Sequence, residues 1–349
     1  MARALWHAER GLASTTPNPI VGAVIVDDEG VVVGSGYHQA AGGPHAEVVA
    51  LQAAGSRAVG ATLYCTLEPC SHTGRTGPCC EAVARARVRR VVVATGDPFP
   101  LVAGRGLAYL RGCGIDVTTG VGRADARRQN APFFRSVERG RPWVHLKVAM
   151  SLDGAVAAAA GQRTAISGEE AARWTQRLRG RVDAIAVGAT TARVDDPLLT
   201  SREVYRHRRL LRVVFDRRAA LPVSSRLVQS LEAGPVLVIA SDTGGSSPAA
   251  TALRERGVEV VATDGTIAGA LTALVERGVH SLLVEGGPTL QAACWQAGVV
   301  DRVSEIVAER ALGPDAVRWA VPAWLSGWAP RTVALGPDVL MEADVYGTD

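Results

Sequence analysis

Short apolar runs alternate with segments of helical period along this chain, starting within its first residues. Apolar stretches at 20–26 and 31–36 flank Asp27-Asp28-Glu29-Gly30, a pattern that predicts two strands joined by a hairpin turn. Residues 45–54 have helical character and end at Gly55. A strand is predicted at 61–67, a helix at 79–86, a strand at 91–95, a helix at 106–112 and a short strand at 115–117. Strands interleaved with helices predict a three-layer α/β domain. Residues 1–10 read as an amphipathic helix and lack the apolar centre of a signal peptide.

From about Gly120 the pattern loosens into a charged helical stretch, 123–139, that runs into Gly140-Arg141-Pro142. The expected organisation is a first domain over 1–122, a linker over 123–142 and a second domain over 143–349. Strand signals resume at 143–149 and recur at 184–187, 211–215, 236–240, 258–262, 281–284 and 303–307. The Gly- and Ser-rich stretch Asp242 to Pro248 predicts a loop. No internal repeat is visible.

A length of 349 residues favours two domains, and 47% hydrophobic content with 38 glycines excludes wholesale disorder. No apolar run is long enough for a membrane span. The net charge of +4 comes from scattered arginines with one local run, Arg206-His207-Arg208-Arg209. Nucleic-acid binding calls for a concentrated basic face, so that run reads as a solvated loop, and the charge permits a small acidic substrate such as a phosphate ester. Six cysteines, three of them at 70, 79 and 80, are too few for a disulfide framework and favour metal binding in a cytoplasmic enzyme.

The chemistry concentrates in His45-Ala46-Glu47, Pro69-Cys70 and Cys79-Cys80. One imidazole and two thiolates leave the fourth position of a tetrahedral zinc open for water, as in a catalytic site. Glu47 is not needed as a ligand, and zinc deaminases of nucleobases place a proton-carrying glutamate at this spacing. Spacing alone leaves Cys79 and Cys80 both available. Asn18, between two prolines, offers a donor and an acceptor to a pyrimidine edge, although a turn-forming role suits it nearly as well. The stretch Ser71 to Thr76, with His72 and Arg75, suits a ribose phosphate. In the second half, Lys147 is the only lysine of the chain, which singles out a compact ammonium. The run from Glu285 to Leu290 follows a strand and opens a helix, where backbone amides can meet a phosphate. No G-x-G-x-x-G follows a strand, so a Rossmann site is not supported.

Together with Thr16 to Val24, Glu68 to Thr76 and Val102 to Gly106, these motifs make the chain resemble the bifunctional riboflavin-biosynthesis family, a pyrimidine deaminase fused to a pyrimidine reductase. The second half looks like that family's reductase through His145 to Gly154, Asp195 to Arg202 and Glu285 to Leu290. The resemblance implies a cytidine-deaminase-like domain followed by a dihydrofolate-reductase-like domain, with Zn2+ and NADPH as cofactors. It implies zinc ligation by His45, Cys70 and Cys79, with Glu47 moving protons and Asn18, His72 and Arg75 holding substrate. For the reductase it implies catalytic charges at Lys147 and Asp195, with Arg179, Leu198, Arg202 and Glu285 on the substrate. Ala149, Thr191, Asp195, Gly287, Pro288, Thr289 and Leu290 would touch NADPH.

Expected partners are a phosphorylated pyrimidine and further copies of the chain, with neither nucleic acid nor membrane. Three departures stand out: Arg163-Thr164-Ala165 lacks the family's tryptophan before Ile166, Phe99 replaces an asparagine, and a proline is missing near 308–313. They motivate a second reading, a deaminase whose reductase half is weakened or retuned for a specialised pathway. A third reading is a non-catalytic zinc protein, against which Glu47 argues.

Overall fold

The computed structural model describes residues 1–72, 77–202, 204, 206, 208–319 and 330–345. The chain divides into two compact units, the first ending at Gly140 and the second beginning at Arg141.

In the first unit, strands β1 (Gly22–Val26), β2 (Val32–Tyr37), β3 (Thr62–Leu67), β4 (Arg90–Thr95) and β5 (Asp116–Thr119) form one sheet in the order β2-β1-β3-β4-β5. β1 runs antiparallel to both neighbours, and β3, β4 and β5 are parallel. The helices are α1 (Ala2–Glu9), α2 (Ala46–Ala54), α3 (Cys79–Arg85), α4 (Arg105–Gly112), α5 (Arg123–Gln129) and α6 (Ala131–Arg139). Because strand side chains alternate, Ile25, Leu63, Val91 and Val93 share one face, where they meet Ala50 of α2, Val83 of α3 and Leu110 of α4. On the opposite face Ala94 meets Leu5 of α1 and Ala126 of α5. These are the three expected layers.

The stretch expected as a linker is instead α5 and α6, both in the first unit. Its abundant charge masks a short buried stripe, Ala126 and Phe134. Between the helices, the buried Asn130 side chain accepts from the Ile20 amide and donates to the Ile20 carbonyl, both at 2.9 Å.

The second unit contains β6 (Trp143–Ser151), β7 (Ala155–Ala157), β8 (Ala184–Gly188), β9 (Leu211–Phe215), β10 (Val236–Ser241), β11 (Glu259–Thr263), β12 (Ser281–Gly286), β13 (Val300–Ala308), β14 (Val317–Arg318), β15 (Arg331–Leu335) and β16 (Asp338–Asp344). Among the described residues nine of these strands form one sheet, ordered β11-β10-β9-β8-β12-β6-β13-β16-β15, and β14 pairs with β7. From β11 to β13 the sheet is parallel, and β16 and β15 continue it antiparallel. Helices α7 (Glu169–Arg179), α8 (Ala189–Asp195), α9 (Arg226–Gln229), α10 (Asp242–Gly245), α11 (Pro248–Glu255), α12 (Ile267–Glu276) and α13 (Pro288–Gln296) accompany it. A strand covered on both faces reads as an unbroken apolar run, and Ala184-Ile185-Ala186-Val187 is one. Its even positions join Leu271 of α12 and Leu290 of α13, while its odd positions join Leu227 of α9 and Leu253 of α11.

The loop expected over 242–248 is largely helical. The Ser241 hydroxyl accepts from the Gly244 amide and that of Ser247 from Ala250, so these two serines cap α10 and α11.

Candidate zinc centre and cofactor cleft

In the first unit, His45 stands at the N-cap of α2 and Cys79 opens α3. Cys70 follows β3 through Glu68-Pro69. It opens no regular element: the chain stays irregular as far as Pro78 among the described residues. The three ligating atoms lie within 4.8 Å of one another. The His45 Nδ1 is 3.1 Å from the Cys79 Sγ and 3.5 Å from the Cys70 Sγ. The neighbouring Cys80 packs into the apolar core beside Val83, so the helix sends the two adjacent thiols in different directions.

The hydrogen bond from the Cys79 thiol, with His45 adding to it, pulls Cys70 down to about 4. The same bond and burial raise Cys79. An imidazole and two sulfurs within reach of one another suit Zn2+. Glu47 lies one residue into α2 and is 3% exposed; burial pushes its carboxyl up to about 7.

Glu68 fixes the Pro69-Cys70 corner. Its buried carboxylate accepts from the backbone amides of Gly104 and Gly106 at 3.0 Å and of Leu107 at 3.3 Å, at the start of α4. Gly106 is required there, because any Cβ would overlap the Pro69 carbonyl oxygen. The Asn18 Nδ2 lies 3.0 Å from the Nε2 of His38, whose ring packs edge-on against His45. His72 lies near the Phe99 ring, and its buried Nδ1 has no hydrogen-bond partner among the described residues. Arg75 lies outside the described residues.

In the second unit, a cleft of about 1080 Å³ crosses the carboxyl ends of the parallel strands, from Thr263 of β11 through Phe215 of β9 and Glu285 of β12 to Ala149 of β6. Open parallel sheets bind their ligands at that edge. Of the residues expected there, Lys147, Ala149, Thr191, Asp195, Glu285 and Gly287 to Leu290 line the cleft. Arg179 is not a lining residue but grips one: its Nε and Nη2 donate to the two carboxylate oxygens of Glu285, each at 2.7 Å. Leu198 and Arg202 do not line the cleft. The Leu198 carbonyl accepts from Arg212, and the Arg202 side chain is exposed.

Burial alone would raise Glu285, but the Arg179 guanidinium outweighs it and the carboxyl is lowered. Burial lowers Lys147, against the pull of Glu285 and with help from Arg179. Burial raises Asp195, opposed by Arg163. Just beyond Asp195, Asp196 and Leu199 adopt left-handed φ of 38° and 49°, strain of a kind found at functional turns. Gly287, at φ 82°, turns β12 into α13 with Pro288 in the first turn. First-turn amides at a helix N-terminus have no partner within the helix and favour a phosphate, so the cleft fits a nucleotide cofactor. Sequence reasoning missed Asp216, Arg217 and Arg218, which follow β9, and also Gln291 and Trp319. For the first three, a position just past a parallel strand was the available signal.

Residues 1–95 match the cytidine and deoxycytidylate deaminase zinc-binding region, and residues 142–323 match the RibD C-terminal domain. The riboflavin biosynthesis protein RibD of Aquifex aeolicus is 41% identical over 314 residues, covering 90% of this chain and 87% of that protein. The chain belongs to the RibD family. RibD of Escherichia coli strain K12 is also 41% identical, over 330 residues, 90% of this chain and 88% of that protein.

Among solved structures, Acinetobacter baumannii RibD (form 1) superposes with a TM-score of 0.87 at 36% identity, covering 98% of this chain and 97% of that one. A Thermotoga maritima structure, titled a diaminohydroxyphosphoribosylaminopyrimidine deaminase and 5-amino-6-(5-phosphoribosylamino)uracil reductase, gives 0.86 at 31% identity, with 99% and 97% covered. Like other RibD proteins, this chain is a bifunctional enzyme of riboflavin biosynthesis. A zinc-dependent deaminase domain of cytidine-deaminase type precedes an NADPH-dependent reductase domain of dihydrofolate-reductase type. No helix among the described residues is long and apolar enough to cross a membrane.

Proposed function

We propose that the first unit deaminates a phosphoribosylamino-diaminopyrimidinone and that the second reduces the ribosyl group of the product to ribityl. The observation that carries the first step is the convergence of His45, Cys70 and Cys79 beside a buried Glu47. Zinc held by these three residues would supply the Lewis acidity that makes water a nucleophile near neutral pH. Poised near neutrality, Glu47 takes a proton from water as its oxygen adds to the amino-bearing ring carbon. Glu47 then passes protons to the ring nitrogen and to the departing amine, which leaves as ammonia when the carbon–nitrogen bond breaks. Asn18 meets the pyrimidine edge, and His72 with Arg75 receives the ribose phosphate.

In the cleft, bound NADPH would supply hydride for the sugar carbon that bears nitrogen. Ala149, Thr191, Asp195 and the segment Gly287 to Leu290 hold the cofactor. Glu285 forms the substrate side, with Arg179 acting through its grip on it, whereas Leu198 and Arg202, which lie off the cleft, take no part. Lys147 and Asp195 place opposite charges at the reacting centre. The chain works in the cytoplasm, a reading supported by six cysteines that are all free. It takes neither nucleic acid nor lipid, and it self-associates into a homo-oligomer, which sedimentation of the purified chain tests.

Two assays on one preparation test the whole reading: ammonia released from the diaminopyrimidinone phosphate, and NADPH consumed on its deaminated product. Both should proceed. If ammonia appears while NADPH is not consumed, the second half of the proposal is lost and a retuned reductase is favoured.

A further inference from the structure

We propose that Trp319 is the aromatic wall of the reductase cleft at its reacting end, where it packs flat on a planar nitrogen heterocycle. The inference rests on the reading that this cleft receives NADPH and a pyrimidine. Among its described lining residues the two with large aromatic side chains are Phe215 and Trp319. Phe215 ends β9 and lies beside Asp216, Arg217 and Arg218. Trp319 belongs to the other end, because a short hydrogen-bond chain ties it to Lys147. Its indole N–H donates to the Gln291 Oε1 at 2.8 Å, and the Gln291 Nε2 donates to the Lys147 carbonyl at 2.9 Å.

Gln291 is only 2% exposed, and both ends of its amide are engaged, so its orientation is set. The main chain of Trp319 is held as well: its amide donates to the Gly154 carbonyl at 3.1 Å, directly after β14 pairs with β7. An indole anchored through its N–H and through its backbone has little freedom. With the N–H engaged by Gln291, what it offers a ligand is its ring face. Flat heterocycles favour such a surface through burial and offset stacking.

The described lining is otherwise poor in aromatic area. Ala165, at the position where the resemblance calls for tryptophan, lines the same cleft with a single methyl group. Trp319, which directly follows β14, therefore supplies a flat surface that the segment around Ala165 lacks. The nicotinamide of the cofactor and the pyrimidine of the substrate share the required chemistry.

Calorimetric titration of Trp319→Leu and Trp319→Phe with NADPH alone, and with the deaminated pyrimidine phosphate alone, tests this without turnover. Trp319→Leu should weaken one of the two ligands about tenfold, and Trp319→Phe roughly threefold. The ligand that loses affinity is the one stacked on the indole. If Trp319→Leu does not fold, Trp319→Phe, which keeps a ring in the same place, carries the test. Unchanged affinity for both ligands in the folded variants overturns the proposal. A wild-type chain that binds neither ligand overturns the cleft assignment and this inference with it.

Discussion

Glu285→Gln tests how the reductase cleft is held together. In the native chain the Glu285 side chain is 8% exposed and that of Arg179 17%, and two bonds of 2.7 Å join them in a bidentate pair. Arg179 has one further anchor, the Thr200 carbonyl at 3.0 Å. Glutamine keeps the shape but replaces one acceptor by an N–H2 group that faces a guanidinium N–H. The buried cation then loses its counter-charge, a change that costs roughly 3–5 kcal/mol when a partner is removed outright. Because one acceptor and the Thr200 carbonyl remain, a loss of about 2–3 kcal/mol is expected.

Urea unfolding followed by tryptophan fluorescence reads this unit, since six of the seven tryptophans lie beyond residue 140. The pH dependence has a definite sign. Glu285 has its folded pKa lowered, so its stabilising contribution is complete above the unfolded carboxyl value and disappears as pH falls through the folded one. Glu285→Gln should therefore flatten the acid limb of the stability curve as well as lower its plateau. The double variant Arg179→Met/Glu285→Leu removes both charges and should fall within about 1–2 kcal/mol of wild type. If Glu285→Gln unfolds at the wild-type urea concentration and keeps the full acid limb, the pair is not the strut described here.

Cys79→Ser should abolish stoichiometric zinc by metal analysis, whereas Cys80→Ser should retain it, because Cys80 faces the core. Gly106→Ala should push the Pro69 carbonyl aside, cost about 1–3 kcal/mol in the first unit and lower zinc retention during dialysis against a chelator. Lys147→Met should reduce NADPH oxidation by about 10²-fold or more and leave ammonia release unchanged, as two separate assays on the same preparation will show.

The strands and most helices were legible because each carries its own period, such as the unbroken apolar run of β8. The candidate zinc cluster was legible for a different reason: few roles besides metal binding call for a histidine and two cysteines beside a spare glutamate, and the structure brings the three residues together. What escaped depends on tertiary context. The stretch 123–139 looked like a connector because its charged residues outnumber the small buried stripe that docks it, and Asn130 gave no sign of its bonds to Ile20. Spacing could not separate Cys79 from Cys80, whereas the start of α3 orients one toward His45 and the other into the core. The chain Trp319–Gln291–Lys147 joins residues far apart in sequence and has no local signature.

The most direct test of the central claim, a metal-assisted deamination served by one buried carboxylate, is ammonia release by zinc-loaded Glu47→Gln. The account predicts one zinc per chain, NADPH oxidation on the deaminated substrate as in wild type, and ammonia release reduced by about 10²-fold or more. Ammonia release at the wild-type rate, with zinc still bound, would contradict it.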